Sequence, residues 1–278
     1  MLRWYAGAAR DLPWRRPEAG SWAVLVSEIM LQQTPVARVL PAYTAWLERW
    51  PTPAALAAEP SGEAVRMWGR LGYPRRALRL HECAVAIVAR HAGAVPAELD
   101  DLIALPGVGP YTARAVASFA FGRRHAVVDT NVRRVVTRLA GEERARSAAD
   151  DLALVEPLVP SEPATAARFA AALMELGALV CTARSPRCPE CPVSAACAWL
   201  AAGQPGSPHP PVRAQRYAGT DRQVRGLLLG VLRNADRPVS ADSLQAVWSD
   251  GVQRDRALQT LVSDGLVRPG TDGMYALP

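Results

Sequence analysis

The sequence contains no lysine, so all 32 residues of its Lys+Arg count are arginines. Without lysine there is no side-chain amine to form a Schiff base with a sugar. The chain also lacks a long apolar run, because its most apolar stretch, 171–180, is interrupted by Glu175. That stretch predicts a buried helix instead of a membrane span. No apolar segment follows the first basic residue, so we expect no secretion signal and a cytoplasmic location.

The length and charge of the chain leave room for a polyanionic partner. It has 278 residues, of which 50% are hydrophobic, enough for one large or two modest domains. The formal net charge is +6 and the pI is about 9.4. A basic protein attracts polyanions such as DNA, although the charge alone does not identify the partner.

Four of the five cysteines lie close together, as Cys181, Cys188, Cys191 and Cys197. Four neighbouring thiolates are typical of a metal site. A single C-x2-C pair between longer spacers favours an iron–sulfur cluster, because zinc ribbons usually carry two separate C-x2-C pairs. Zinc and disulfides remain the alternatives. We expect Cys83, which lies in an apolar periodic stretch, in the core.

Apolar residues recur at three- and four-residue intervals along most of the chain, which predicts an all-α fold. The clearest predicted helices are residues 22–33, 36–50, 102–105, 111–121, 132–139 and 166–180. A stretch rich in proline and glycine, 201–211, predicts a linker. After it, helices at about 220–234, 240–248 and 252–263 and a hairpin at 267–275 predict a small winged-helix-like module.

A glycine-rich turn separates two of the predicted helices, in the segment 105–112 (LPGVGPYT). Gly107 and Gly109 permit a tight hairpin whose bare backbone N–H groups face outward at a helix N-terminus. Such groups can hold a phosphate without a side chain, which gives position without sequence specificity. The hairpin therefore suits a protein that scans duplex DNA, and an ordinary helix–helix turn is the alternative interpretation.

Two carboxylates lie in contrasting surroundings. Glu28 belongs to a helix that is apolar on nearly every face, so we expect it to be buried, with a raised pKa that lets it carry a proton near neutral pH. Asp129 precedes a helix and is close to Arg133 and Arg134, which favours its anion. A pair of carboxyl groups whose pKa values differ in this way, so that one is protonated and the other ionised, is typical of enzymes that cleave glycosidic bonds. A structural N-cap is the alternative role for Asp129.

Six motifs follow one another over residues 1 to about 200, at 11–15, 27–34, 69–73, 105–111, 128–134 and 175–178. Together with the cysteines they resemble the helix–hairpin–helix DNA glycosylases that carry an iron–sulfur cluster, and specifically the MutY-type adenine DNA glycosylases. That family removes adenine mispaired with 8-oxoguanine after flipping the adenine out of the duplex.

The resemblance implies roles for individual residues. Glu28 would protonate the adenine ring and later handle the water, Asp129 would stabilise the sugar cation or its covalent adduct, and Tyr111 and Asn131 would line the pocket. Gln33 and Tyr73 match positions that wedge into the duplex around the lesion. The other implied DNA contacts are Arg15, Leu31, Gln32, Thr34, Leu71, Gly107 and Gly109. The four cysteines would hold a [4Fe-4S] cluster, with Arg184 and Arg187 facing phosphates.

The resemblance also implies a domain organisation. Residues 22–131 would form a helical lobe with the hairpin, residues 1–21 and 132–203 a cluster lobe, 204–219 a linker and 220–278 the winged-helix-like module. DNA would lie between the lobes, with Glu28 on one wall and Asp129 on the other. We expect a monomer that binds double-stranded DNA containing an A·8-oxoguanine or A·G mispair, without a membrane, at the bacterial nucleoid during repair.

Residues 220–278 depart from the longer members of the family. They are too short and too helical to be the Nudix-like domain that reads 8-oxoguanine there, and they are similar to the short tail of some actinobacterial-type members. The sequence therefore does not identify which residues sense the damaged guanine.

Alternatives differ in chemistry. A thymine glycosylase acting on T·G mispairs can share the Glu, the Asp and a hairpin Tyr, so the argument against it depends mainly on residues 31–34. A non-enzymatic iron–sulfur DNA-binding regulator leaves Glu28 without a role. An endonuclease III-type lyase needs a lysine where Tyr111 stands.

Overall fold

The computed structural model describes residues 1–141, 147–205 and 216–278. They form two compact units. The first contains Met1–Val24, Ala97–Ile103 and the described residues of 108–205, and the second contains Leu25–Pro96, Ala104–Gly107 and the described residues of 216–278. Helix is the dominant secondary structure in both, which confirms the predicted all-α class.

The first unit is built from seven helices and the first turns of an eighth, counted over the described residues. The eighth, α2 (Gly20–Leu31), continues into the second unit. The seven are α1 (Leu2–Ala8), α7 (Leu99–Ile103), α8 (Pro110–Phe121), α9 (Thr130–Ala140), α10 (Ala148–Val155), α11 (Pro163–Leu179) and α12 (Ala198–Ala201). Helices α9 and α11 pack through a buried valine and leucine core that includes Val132, Val136, Leu173 and Leu176.

The helix boundaries of the first unit follow from local chemistry. Helix α10 begins with a capping box in which Ser147 and Asp150 satisfy each other's backbone N–H groups. Helix α11 begins at Glu162, whose carboxylate accepts bonds from the free N–H groups of Ala164 and Thr165. Helix α9 ends at Gly141, whose φ of 69° is the left-handed conformation that glycine adopts without strain.

The second unit holds the rest of α2 and the remaining described helices. These are α3 (Val36–Arg49), α4 (Pro53–Ala57), α5 (Ser61–Trp68), α6 (Arg75–His91), α13 (Asp221–Arg233), α14 (Ala241–Gln245) and α15 (Gly251–Ser263). Trp46, Trp50 and Trp68 are buried in its core. Trp46 meets the other two edge to face at 4.7 and 5.7 Å between ring centroids, an arrangement that aromatic rings favour.

Residues 216–278 form the predicted small module. Its three helices are accompanied by three short antiparallel strands, β1 (Val239–Ser240), β2 (Arg268–Pro269) and β3 (Met274–Ala276), with β3 in the centre. The hairpin and the helices were predicted, whereas β1 was missed. Two residues are too short to show the alternating pattern that marks a strand.

Other differences from the predicted elements are at helix ends. The helix predicted over 102–105 is Leu99–Ile103, because the chain turns into the hairpin after Ile103. The helix predicted over 240–248 is only Ala241–Gln245. Most of the predicted linker, residues 206–211 of 201–211, lies outside the described residues. Among the described residues, no helix is both long and apolar enough to cross a membrane.

Candidate DNA-repair site

Glu28 lies in the last two turns of α2, in the part that belongs to the second unit. It is 6% exposed, and the neighbouring Ser27, Ile29 and Met30 are fully buried. The predicted burial of this carboxyl group is therefore confirmed. Burial withdraws this carboxyl group from water.

Asp129 caps the N-terminus of α9 in the first unit. Its Oδ1 accepts a hydrogen bond from the backbone N–H of Val132 at 2.7 Å, and its Oδ2 accepts one from Asn131 Nδ2 at 2.8 Å. Both oxygens therefore accept hydrogen bonds at the N-terminal end of α9. The N-cap, the structural role considered for Asp129, is present.

Asn131 connects Asp129 to the cysteine segment. Its Oδ1 accepts a 2.8 Å bond from Arg134 Nη2, and Arg134 also donates to the carbonyl oxygens of Gly177 and Cys181, each at 2.7 Å. Burial lowers the pKa of Arg134. Gly177 is required here because a Cβ at this position would lie 2.7 Å from Asn131 Cβ. One arginine thus ties the Asp129 cap to the start of the cysteine segment.

The four clustered cysteines surround one pocket. Cys181, Cys188, Cys191 and Cys197 line about 290 Å³ of empty space together with Arg138, Val180, Pro186, Ser194, Trp199 and Leu200. All four are free thiols, so the disulfide alternative is not what the structure shows. Arg138 Nη1 donates to Cys181 Sγ at 3.2 Å and Gln204 Nε2 donates to Cys188 Sγ at 3.3 Å. Such donors stabilise sulfur that carries negative charge.

The four thiols of the pocket affect one another electrostatically. Burial raises the pKa of Cys191, and the other three cysteines add to that rise. Within the described ranges, no three His, Cys, Asp or Glu side chains are placed to hold a single metal ion. Arg184 and Arg187, predicted to face phosphates, are exposed, although Arg187 also pairs with Glu190 at 3.0 Å.

Arg15, a predicted DNA contact, makes an intramolecular ion pair. Its Nη2 lies 2.9 Å from Glu175 Oε2, and Arg10 Nε binds Oε1 of the same carboxylate at 2.8 Å. The Glu175 side chain is 0% exposed. Burial alone would raise the pKa of Glu175, but the bonds from Arg10 and Arg15 outweigh burial and lower it to about 2. Local sequence gives no sign of this role, because Arg10 and Glu175 are 165 residues apart.

Two residues predicted to wedge into the duplex have unusual backbones. Gln33 has φ 56° and Tyr73 has φ 47°, a region that residues other than glycine adopt at a cost. The Tyr73 side chain is 58% exposed, which leaves it available to a partner. Leu31, Gln32 and Thr34 surround Gln33, and Leu71 precedes Tyr73 by two residues. A 3.4 Å bond from Thr34 Oγ1 to the Leu71 carbonyl joins the two turns.

Arg76 holds both of these turns and was missed by the sequence analysis. Its Nη1 donates to the carbonyl oxygens of Ile29, Met30 and Gln32 at 2.6–3.0 Å, and its Nη2 donates to Thr34 Oγ1 and the Gly72 carbonyl. Burial lowers its pKa to about 10. In the sequence, an arginine beside a motif cannot be distinguished from one on the surface. Only the fold reveals these contacts.

The glycine-rich turn has the predicted geometry. Gly107 has φ 78°, and a Cβ there would lie 2.8 Å from Arg79 Cβ, so only glycine fits. Gly109 is the N-cap of α8, which begins at Pro110 and leaves the N-terminal N–H groups without helical partners. Tyr111, in the first turn of α8, packs against a small buried cluster that contains Ala115, Val127 and Ala170.

The known proteins that resemble this chain are DNA-repair enzymes. Residues 26–157 match the family model described as HhH-GPD superfamily base excision DNA repair protein. The chain is 57% identical to the adenine DNA glycosylase of Mycolicibacterium smegmatis, with 100% of this chain and 94% of the relative covered. It is 54% identical to the adenine DNA glycosylase of Mycobacterium tuberculosis, again over 100% of this chain and 92% of the relative.

Solved structures share the fold. A thermostable thymine-DNA glycosylase is similar with a TM-score of 0.67 and 30% identity, over 72% of this chain and 93% of the other. An endonuclease III trapped covalently on DNA is similar with a TM-score of 0.64 and 25% identity, over 73% of this chain and 93% of the other. With full-length similarity at 57% identity, the chain belongs to the HhH-GPD superfamily of base excision DNA repair proteins, among the adenine DNA glycosylases.

Proposed function

We propose that this protein hydrolyses the N-glycosidic bond of adenine mispaired with 8-oxoguanine, or with guanine, in double-stranded DNA. The observation that carries the proposal is the buried carboxyl of Glu28 in a chain whose full-length relatives are adenine DNA glycosylases. A carboxyl kept neutral by burial can donate a proton near neutral pH, and departure of adenine requires such a donor.

The two carboxylates divide the work. Glu28 protonates the ring of a flipped adenine, so that the base leaves as a neutral molecule, and afterwards receives a proton from the attacking water. Asp129 remains an anion and stabilises the positive charge that develops on the sugar. Its bonds to Val132 N–H and Asn131 support this role, because they fix the carboxylate without neutralising it. Tyr111 and Asn131 line the adenine pocket.

The lesion contacts come from the second unit and the hairpin. Exposed Tyr73 and the strained Gln33 enter the duplex at the mispair, with Leu31, Gln32, Thr34 and Leu71 beside them. The N–H groups around Gly107 and Gly109 hold a phosphate. Arg15 would add a phosphate contact with whatever hydrogen-bonding capacity its pair with Glu175 leaves free.

The cysteine pocket fits a [4Fe-4S] cluster. Four free thiols around a pocket, two with side-chain donors on sulfur, match the donor set of such a cluster. Zinc also binds four thiolates, and the spacing of the cysteines favours the cluster over it. Cys181, Cys188, Cys191 and Cys197 would hold the cluster, which would supply positive charge to the pocket.

The oligomeric state and the cellular location are also part of the proposal. We propose that the protein acts as a monomer on chromosomal DNA in the bacterial cytoplasm, at the nucleoid, and that it makes no stable membrane contact. We retain the domain boundaries 22–131, 1–21 with 132–203, 204–219 and 220–278 as part of this proposal.

A base-release assay with Glu28→Gln tests the proposal. The wild-type protein should release free adenine from an A·8-oxoguanine duplex. The Gln variant should bind the duplex with unchanged affinity but release adenine at least about 100-fold more slowly, because a general acid typically contributes 10²–10⁴-fold. Ser27→Ala, at the adjacent buried position, is the matched control for packing at this turn of α2.

Three results would contradict the proposal. A Glu28→Gln protein that releases adenine at the wild-type rate would remove Glu28 from the reaction. A wild-type protein that releases thymine from T·G and no adenine would favour the thymine glycosylase suggested by the 30% identical structure. A wild-type protein that shifts the duplex without releasing a base would favour a DNA-binding regulator.

A further inference from the structure

Residues 216–278, which we call the C-terminal module, bind helix α5 of the same compact unit. Arg233 Nε donates to the Val65 carbonyl at 2.9 Å, and the backbone N–H of Gly62 donates to the Pro278 carbonyl at 2.7 Å. Arg66 donates in return to the carbonyl oxygens of Leu232 and Arg233. The two partners therefore share one backbone–backbone hydrogen bond in addition to the bonds from arginine side chains.

The module also binds the first two turns of α6. Asp264 Oδ1 lies 3.3 Å from Arg75 Nη1, and its other oxygen accepts a 2.6 Å bond from Arg225 on α13. One carboxylate thus joins a helix of the module to α6. The next residue, Gly265, faces Leu78, since a Cβ at this glycine would lie 3.9 Å from Leu78 Cδ1.

The contact with α5 is closely fitted. Gly62 is buried, and a Cβ at this position would lie 2.4 Å from the Pro278 oxygen and 3.0 Å from Leu277 Cβ. Burial lowers the pKa of Arg233 to about 10. The interface therefore excludes even a methyl group at residue 62.

Helices α5 and α6 are connected by residues 69–74, which carry Tyr73. This loop is fastened to both helices, because Trp68 Nε1 donates to the Gly72 carbonyl at 2.9 Å and Arg76 Nη2 donates to the same oxygen at 3.1 Å. Tyr73 has φ 47°, a conformation that persists only when the surroundings impose it. Any relative movement of α5 and α6 would therefore alter the position of Tyr73.

The charge of the module argues against a direct role in binding DNA. Residues 216–278 contain eight arginines and seven aspartates, so they lack the basic excess of a DNA-binding module. Arg225, Arg254 and Arg256 are each paired with an aspartate. A role in holding its neighbours agrees better with this balance.

We propose that the C-terminal module is a brace that clamps α5 and α6 together and thereby positions the loop 69–74, with Tyr73, for the DNA. The inference depends on the proposed function in one respect, namely that Tyr73 contacts the duplex. The module thus contributes to recognition of the mispair by fixing a loop, without itself reading a base.

Two glycine-to-alanine variants in helices test the brace. Gly62→Ala forces a methyl group against Pro278, whereas Gly230→Ala, in α13, adds a methyl group with nothing within 4 Å. Hydrogen exchange of the holoprotein should be about tenfold faster at the amides of residues 69–73 in Gly62→Ala, because overpacking opens the contact. Affinity for an A·8-oxoguanine duplex should fall by about the same factor. Gly230→Ala should change neither quantity.

A second pair of variants tests the brace if Gly62→Ala does not fold. Arg233→Met removes the bond to Val65, and Arg256→Met removes a pair with Asp221 inside the module. Only Arg233→Met should loosen the loop and weaken duplex binding. A substitution that frees the module should lower the affinity for the duplex more than it lowers the rate of adenine release from duplex that is already bound. A general loss of fold would not produce this difference.

The outcomes separate the two proposals. Unchanged exchange at residues 69–73 in both Gly62→Ala and Arg233→Met would overturn the brace, as would a loosened loop with unaltered duplex affinity. A wild-type protein that releases no adenine would refute the proposed function instead, while the exchange and affinity measurements would still decide the brace.

Discussion

At the residue scale, Asp129 combines a structural bond with a charge, and the two can be separated. Its Oδ1 caps α9 by accepting the Val132 N–H. Asparagine is as good an N-cap as aspartate, so Asp129→Asn removes the charge while a cap remains.

We predict that Asp129→Asn slows adenine release by about 10²–10³-fold through loss of cation stabilisation. Its melting temperature should remain close to that of the wild type. Asp250→Asn is the matched control, because Asp250 caps α15 through the same type of bond, to the Gln253 N–H at 3.0 Å. Equal activity of the two variants in a single-turnover assay would rule out an electrostatic role for Asp129.

The buried Glu175 gives the first unit a pH-dependent component of stability. The folded-state pKa of about 2 lies below the ordinary value of 4.5. The contribution of the ionised Glu175 to the free energy of unfolding is therefore complete above about pH 4.5 and is lost as the pH falls towards 2. We predict that Glu175→Gln lowers the free energy of unfolding by about 3–5 kcal/mol at pH 7, because Arg10 and Arg15 lose a buried partner.

Denaturant titrations of both proteins at a series of pH values would check this. The difference in free energy of unfolding between the wild type and Glu175→Gln should be constant from pH 7 to about 5 and should become smaller below pH 4.5. Glu190→Gln, an exposed glutamate, is the control and should show little effect at any pH. A difference that grows on acidification would contradict the assigned pKa.

At the scale of the element, the turns that carry Gln33 and Tyr73 depend on one side chain. The planar guanidinium of Arg76 reaches the end of α2, Thr34 and Gly72 at once, a geometry that lysine cannot reproduce. We predict that Arg76→Lys costs about 1–3 kcal/mol of stability, since buried carbonyl groups lose donors. Duplex binding should also weaken. Arg90→Lys, at an exposed position on the same helix, should change neither the stability nor the duplex binding. Denaturation and duplex titration measure the two effects, and unaltered duplex binding by a destabilised Arg76→Lys would contradict the positioning role.

The cysteine segment is the second element whose order depends on a few bonds. We predict iron and acid-labile sulfide in about equal amounts in the purified protein, as expected for a four-iron cluster. Cys188→Ser or Cys191→Ser should lose the iron and impair folding or DNA affinity. Cys83→Ala should keep full iron content, because Cys83 is buried in the other compact unit. Stoichiometric zinc without sulfide, in anaerobically prepared protein, would be the contrary result.

At the scale of the whole molecule, the absence of lysine restricts what can follow adenine release. Within the 278 residues, the α-amino group of Met1 is the one primary amine, and the family resemblance implies that Tyr111 occupies the position of the lysine that endonuclease III-type lyases need. A phenol cannot form an imine, so water completes the reaction. The protein should therefore act as a glycosylase without strand cleavage.

We predict an abasic strand that remains intact until alkali or a separate endonuclease is added. Borohydride present during turnover should trap essentially no protein–DNA adduct. Tyr111→Lys provides the converse test, because it restores an amine at this position and should create weak lyase activity. A strong adduct with the wild-type protein, persisting after the N-terminal amine is blocked, would contradict a water nucleophile.

Local sequence patterns established the helical class and the family, and they supplied the site residues that the proposal uses. Apolar periodicity gave α2, α8, α9 and α11 to within a few residues, since each of these helices buries a regular face. The cysteine spacing, the glycine-rich turn and the burial of Glu28 are local properties. They depend on residues close together in the chain, which a sequence displays directly.

Only the tertiary structure decided which distant residues meet. Arg76 beneath the turns, Arg134 between Asp129 and the cysteines, and Arg10 and Arg15 on Glu175 all pair residues through folding, and nothing in the local sequence distinguishes these arginines from surface ones. The same holds for Gly62, which must be small because the end of the chain packs against it. Hydrogen bonds and close packing depend on three-dimensional separation, and separation along the chain carries no information about it.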